Sequence, residues 1–156
     1  MPNNRASRLL IATCAAVAVN FTLLNIASAA LGEHEDSVAA DAQAVQGSIK
    51  MQDRGVYRMH EIVMPSGTKV HEFVNSAGQV FAVTWQGPTM PNLRQTLGKY
   101  FDDYVAAEQT PHAVRRHIGI HRDDLVVESA GHMRAFSGRA YLPQAVPGGV
   151  SVGDLH

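Results

Sequence analysis

Two five-residue runs constrain this fold more than any other feature of the chain. Met59-His60-Glu61-Ile62-Val63 is followed by Pro65-Ser66-Gly67, and Val70-His71-Glu72-Phe73-Val74 is followed by Ser76-Ala77-Gly78. Residues 79–86 then alternate Val80, Ala82 and Thr84 against Phe81, Val83 and Trp85. Runs rich in β-branched and aromatic residues, each closed by a short Gly-ended turn, predict an antiparallel meander. Met64-Pro65-Ser66-Gly67 suits a type I turn with Pro at its second position and a left-handed Gly67, which together make a three-residue hairpin loop. Asn75-Ser76-Ala77-Gly78 fits the same template. Three-residue loops set Met64 opposite Thr68, His60 opposite Glu72 and Glu61 opposite His71. A two-residue loop would oppose Glu61 and Glu72, which like charges disfavour. In this register Met59, Val63, Phe73, Phe81, Val83 and Trp85 share one face, the expected core face, and Glu61 and His71 lie on it as a buried polar pair.

Around the meander the chain offers two helices and a second hairpin. Ser37 is placed to cap a short helix over 38–46, with Gly47 at its C-terminal end. Gly87-Pro88 ends the meander. Asn92, with Gln95 three positions on, predicts a helix to about Ala107 whose stripe is Leu93, Leu97, Tyr100, Phe101, Tyr104 and Val105. Gly98 costs that helix about 1 kcal/mol against Ala and marks close packing on the sheet. Residues 108–122 read as a loop. Segments 125–128 and 132–136 read as a hairpin turning at Ser129-Ala130-Gly131, and Pro143, Pro147, Gly148, Gly149 and Gly153 predict an irregular tail with an edge strand near 150–152. The expected class is α+β, a small single domain of antiparallel hairpins with one packed amphipathic helix.

The first residues read as an export signal. Arg5 and Arg8 precede a mostly apolar run over 9–26, which closes with Ala27-Ser28-Ala29-Ala30, a small-residue exit that fits cleavage after Ala29 or after Ala30. A retained membrane anchor is the alternative, since the run is about long enough to span a bilayer. Asn20 and Asn25 weigh against it. Cys14 follows Ile11-Ala12-Thr13, but the apolar stretch lies after it, the reverse of a lipidation site. About 127 residues then remain from Ala30 onward, enough for one domain, with the core expected over about 37–143 and the tail over 144–156. The one cysteine leaves with the signal, so disulfides, thiolate chemistry and cysteine metal ligands are excluded from the mature chain. Two of the 13 basic residues leave as well, and with 14 acidic residues the mature charge is about −3. No basic stripe remains for nucleic acid.

Gly87-Pro88-Thr89-Met90-Pro91-Asn92-Leu93, the stretch from Asp124-Leu125-Val126-Val127-Glu128 through Ser129-Ala130-Gly131-His132-Met133-Arg134-Ala135-Phe136, and Gly138-Arg139-Ala140-Tyr141-Leu142-Pro143 resemble a family of short exported bacterial proteins described as a domain of unknown function (domain of unknown function 2844). The likeness extends over almost the whole mature chain, including Leu31-Gly32 and Ser37-Val38-Ala39-Ala40-Asp41. It implies a Gram-negative envelope or secreted protein and transfers no activity, ligand or catalytic residue.

Several residues carry candidate chemistry. The two His-Glu dipeptides invite a zinc reading, but the metalloprotease pattern needs a second His four positions on, where Met64 and Asn75 stand. A looser metal site from His60, Glu72, His71 and Glu61 is awkward, because neighbouring strand residues point to opposite faces. Only His60 with Glu72 and His71 with Glu61 can share a face, and cross-strand pairing explains both. His112, His117 and His121, with Arg115, Arg116 and Arg122, form a second cluster best read as surface loop residues. Met59, Met64, Met90 and Met133 are explained by core filling rather than copper, and His34 misses the amino-terminal copper motif by position. Ser66, Ser76 and Ser129 are turn residues, and no serine sits in a nucleophile elbow. His132, Arg134, Arg139 and Tyr141 place cationic and titratable groups on or beside one hairpin, a candidate anion or ligand site. Pairing with Asp123, Asp124 or Glu128 is the structural alternative.

These residues predict a non-enzymatic binding or accessory module without a cofactor. Its partner would be an envelope or secreted protein or a small ligand, and it would meet membrane only through an uncleaved signal. The alternative is a small hydrolase or metal-dependent enzyme using the His and Glu residues of the strands.

Overall fold

The computed structural model describes residues 31–109 and 117–156, with 117 and 118 described by backbone alone. The leader with Cys14, and His112, Arg115 and Arg116, lie outside the described residues. Seven strands form one antiparallel sheet: β1 (Ser48–Asp53), β2 (Tyr57–Val63), β3 (Lys69–Asn75), β4 (Val80–Gly87), β5 (His117–His121), β6 (Val126–His132) and β7 (Ala135–Tyr141). Their order is β1-β2-β3-β4-β7-β6-β5, so two meanders join where β7 pairs with β4. Helices α1 (Val38–Ala44), α2 (Leu93–Leu97) and α3 (Phe101–Gln109) complete the α+β domain.

The first hairpin has the expected register. Met64 N–H donates to Thr68 O and Gly67 N–H to Met64 O, both at 2.9 Å, with Gly67 at φ +86°. His60 opposes Glu72 and Glu61 opposes His71. The second loop is also three residues long, with Asn75 N–H on Gln79 O. Past it the register changes: Val74 opposes Val80, but Phe73 opposes Ala82, leaving Phe81 as a bulge. A bulge reverses the alternation beyond it. Val83 and Trp85 therefore do not share a face with Phe73 and Phe81, as the uninterrupted alternation predicted.

That reversal divides the interior in two. On one face Ile62, Val70, Val74, Val80, Val83, Trp85, Val127 and Ala140 pack against Val38, Leu93, Leu97 and Tyr104 of the helices. On the other, Met59, Phe73, Phe81 and Ala82 form a smaller core under the C-terminal tail, with Leu155, Val146, Val150 and Val152. The tail is irregular and packed, with single helical turns at Pro143–Ala145 and at Val152–Asp154, and no strand forms over 150–152, where an edge strand is expected from the sequence. Residues ahead of α1 are also part of the domain. Leu31 is fully buried and donates to Thr96 O, while Gly32 N–H donates to Val80 O and Val80 N–H to Glu33 O.

Other differences have local causes. Ser37 precedes α1 without capping it, and its hydroxyl bonds His34 O instead. Asn92 does cap α2, accepting from Gln95 N–H, but the long helix breaks at Gly98, whose φ of +52° ends α2 before α3 begins. β1 was not foreseen, because as an edge strand exposed along its whole length it carries no apolar alternation. β5 lies inside the stretch read as a loop. Ser129-Ala130-Gly131 is strand rather than turn, and the chain reverses at Met133-Arg134, both at positive φ (27° and 68°), which gives a two-residue loop. Among the described residues no helix is long and apolar enough to cross a membrane.

Candidate functional site

Reading straight across the strands, one row runs Lys50, Glu61, His71, Thr84, Arg139, Glu128 and Gly119. The next row on the same face runs Val63, Lys69, Gln86, Ser137 and Ala130. Directly opposed residues share a face in an antiparallel sheet. These rows leave the sheet polar where the other face is apolar, and among the described residues the helices pack on that other face. The C-terminal tail packs over one end only. Where it stops, a groove of about 630 Å³ opens, walled by Lys69, His71, Thr84, Gln86, Glu128 and Arg139 and ending at Leu155 and His156.

The charges along the groove meet in two clusters. His71 Nε2 lies 3.2 Å from Glu61 Oε2, and Lys69 Nζ reaches the same oxygen at 3.3 Å. The His71 hydrogen bond, and then Lys69, hold the Glu61 carboxyl below its ordinary value. Arg139 Nε donates to Glu128 Oε2 at 2.5 Å, its Nη1 donates to Val152 O at 3.2 Å, and its guanidinium lies 5.9 Å from the Tyr141 ring centre. His121 Nε2 is 3.8 Å from Glu128. Arg139 thus ties the sheet to the tail beside the groove.

The opposite face holds a second polar set, buried beneath α1 and α2. Glu72 is 2% exposed and its Oε2 has no hydrogen-bond partner. Burial, with the nearby Asp41 carboxylate adding to it, pushes the Glu72 carboxyl well above its ordinary value. Asp41 is itself buried on α1 and accepts from Gln95 Nε2 at 2.7 Å. Asp41 and Glu72 border a cavity of about 20 Å³ whose wall includes Asn92, Gln95 and Thr96. His60 opposes Glu72 but bonds elsewhere, with Nε2 2.8 Å from Glu35 Oε1. Arg58 binds the same carboxylate through Nε at 2.8 Å and through Nη2. These contacts, that of Arg58 foremost, lower the Glu35 pKa and fasten the segment ahead of α1 to β2.

The four His and Glu residues weighed as metal ligands are therefore split between faces, as strand geometry requires. His71 and Glu61 meet beside the groove. His60 and Glu72 lie under the helices without bonding each other. The expectation that Glu61 and His71 form the buried pair is corrected: Glu72 is the buried carboxyl, while Glu61 and His71 keep 18% and 17% of their side chains exposed. Of the second candidate set, Arg139 lines the groove and Tyr141 lies beside it, but His132 and Arg134 are exposed at the tip of the β6–β7 hairpin and do not line it. Among the described residues no group of three or more His, Cys, Asp or Glu side chains is arranged to hold a metal. Lys69, Thr84, Gln86, Glu128 and Ser137 were missed as site residues. Their signal is polar residues at spacing two on β3, β4 and β7, which acquires meaning only once β7 is paired with β4.

The family described as a protein of unknown function, DUF2844, matches residues 27–155. No curated protein and no solved structure shows detectable similarity. A match over nearly the whole domain, tight turns and groove strands included, settles membership: the chain belongs to the DUF2844 family.

Proposed function

We propose that this is an exported, non-enzymatic binding module whose ligand site is the groove on the open face of the sheet. The observation that carries the reading is the groove itself, about 630 Å³ of concave surface placed where an otherwise polar sheet face meets the apolar end of the tail. That volume is in the range of small-molecule sites, and paired charges beside an apolar edge suit a ligand with both polar and apolar parts. The test is native mass spectrometry of protein purified from the envelope fraction. A stoichiometric extra mass, lost in Arg139→Ala and in His71→Ala, is the expected result. A bare chain in wild type and variants alike contradicts the proposal.

Export is supported by the basic and apolar start of the sequence and by the junction with the fold. Cleavage after Ala30 would put a charged ammonium on the buried Leu31 nitrogen, whereas cleavage after Ala29 leaves that nitrogen a neutral amide donating to Thr96 O. The mature chain is expected to begin at Ala30, and an N-terminus at Leu31 would contradict this. The hydrolase reading rests on one observation: Glu61, His71 and Thr84 occupy one row, in the order acid, base, hydroxyl, with His71 and Thr84 on the groove wall. Glu61 bonds His71, but no hydrogen bond joins His71 to Thr84, which keeps that reading second. Turnover of model esters abolished by His71→Ala would reverse the order.

A further inference from the structure

We propose that the cavity between α1, α2 and β3 is a binding site for one calcium ion, with Asp41 and Glu72 as its anionic ligands. It lies on the opposite face of the sheet from the groove and does not depend on the groove having a ligand. Three observations converge on it. The carboxylate-bearing side chains of Asp41 and Glu72 come from different elements, a helix and the interior strand β3, and border the same small space. Glu72 Oε2 is buried on that wall without a hydrogen-bond partner, an orphaned acceptor of the kind that a bound group satisfies. The space, about 20 Å³, fits a single particle of water size.

The chemistry of the wall selects the ion. Its polar residues, Asp41, Glu72, Asn92, Gln95 and Thr96, offer oxygen, and with no imidazole or thiolate and the Met64 thioether as the one sulfur on the wall, the set disfavours zinc and copper. Two carboxylates are neutralised by one divalent charge. Magnesium keeps several waters in a strict octahedron, for which a one-particle cavity has no room. Calcium tolerates irregular sets of carboxylate, amide and carbonyl oxygens. An ion here would tie α1 and the α2 cap to the centre of the sheet, making the helix layer's attachment calcium-dependent.

The test uses the purified protein after chelator treatment, followed by calcium chloride or by magnesium chloride at equal ionic strength. Calcium at ~10 mM is expected to raise the unfolding temperature by roughly 5 °C, for an affinity typical of extracellular calcium modules. Magnesium is expected to do much less. The Glu72→Gln protein should fold without calcium and lose the calcium-induced rise, and Asp41→Asn should lose it too. Equilibrium dialysis of the wild type against radiolabelled calcium should give one ion per chain, whether or not either variant folds. No calcium shift and no retained ion, an equal shift with magnesium, or an equal shift in Glu72→Gln would overturn the proposal.

Discussion

The dipeptide His-Glu occurs in two neighbouring strands, and its four side chains end in different environments. In β2 His60 points under the helices and Glu61 to the open face. In β3 the order is reversed, so His71 shares the open face with Glu61 and Glu72 shares the covered one with His60. Glu61, bonded by His71 and Lys69 at the groove wall, is held ionised. Glu72 is pushed the other way, its carboxyl raised well above the ordinary value by desolvation and the neighbouring Asp41. One residue type is thus shifted in opposite directions on adjacent strands, and a one-residue difference in phase decides which. The same division separates the faces as wholes: one packs apolar side chains against the helices, the other presents rows of charges around a groove.

The largest expected effect tests the covered face. Trp85→Ala should cost about 3–5 kcal/mol in urea denaturation, since Trp85 is 2% exposed at the centre of the main core. A cost below about 1 kcal/mol would mean that the bulge at Phe81 does not turn Trp85 inward. Gly138→Ala should also destabilise markedly, because a methyl group there would overlap the Trp85 ring.

Next comes Glu35, the anchor of the segment ahead of α1. Glu35→Gln should cost about 1–2 kcal/mol at neutral pH through its charged hydrogen bonds. Glu35 and Glu61 both have pKa values lowered on folding. The stability they contribute is therefore present above their unfolded values, near pH 4.5, and is lost as pH falls through the lower folded ones. Urea midpoints measured from neutral pH downward should decline more gently in Glu35→Gln. An unchanged acid limb would remove the Arg58–Glu35–His60 network from the account.

The sharpest version of the comparison pairs two isosteric changes in chelator-treated protein. Glu61→Gln should lower stability by at most about 1 kcal/mol, and less in high salt, as expected for partly screened ion pairs. Glu72→Gln should leave stability within about 1 kcal/mol of wild type with little salt dependence, because burial already disfavours the charge that this change removes. If the two respond alike, the faces are not electrically distinct. The smallest effect belongs to the hairpin tip. Met133→Asn with Arg134→Gly should gain about 0.5–1 kcal/mol by relieving two positive-φ residues, and a loss would show that the tip has a role beyond turning the chain.

Much of this architecture was legible in the residues. Pro65-Ser66-Gly67 and Ser76-Ala77-Gly78 specify three-residue loops, and loop length specifies register, so the His60–Glu72 and Glu61–His71 pairings could be read directly. The bulge could not, because Val80 to Trp85 are apolar or small on both sides and the alternation fits either phase. Which face of β4 is the core was consequently misread for Val83 and Trp85. The β6–β7 turn was misplaced because Ser129-Ala130-Gly131 has better turn chemistry than Met133-Arg134, and pairing with β4 and β5 overrides that local preference. Arg139 was identified as a candidate from the sequence. So was His71, and Glu128 was among the carboxylates weighed as the pairing partner of Arg139, but Lys69, Thr84, Gln86 and Ser137 were not, since they come from strands far apart in the chain that only the β4–β7 pairing brings side by side.

The account rests on the open face being a ligand-binding surface and the covered face being structural. The most direct test is an amide chemical-shift map of the isotope-labelled protein titrated with a library of small anionic, zwitterionic and amphipathic compounds. The account predicts shifts clustered at Lys69, His71, Thr84, Gln86, Ser137 and Arg139, abolished in Arg139→Ala. Shifts confined to the helix layer, to β1 or to the Met133–Arg134 tip, or no shifts across the library, would contradict it.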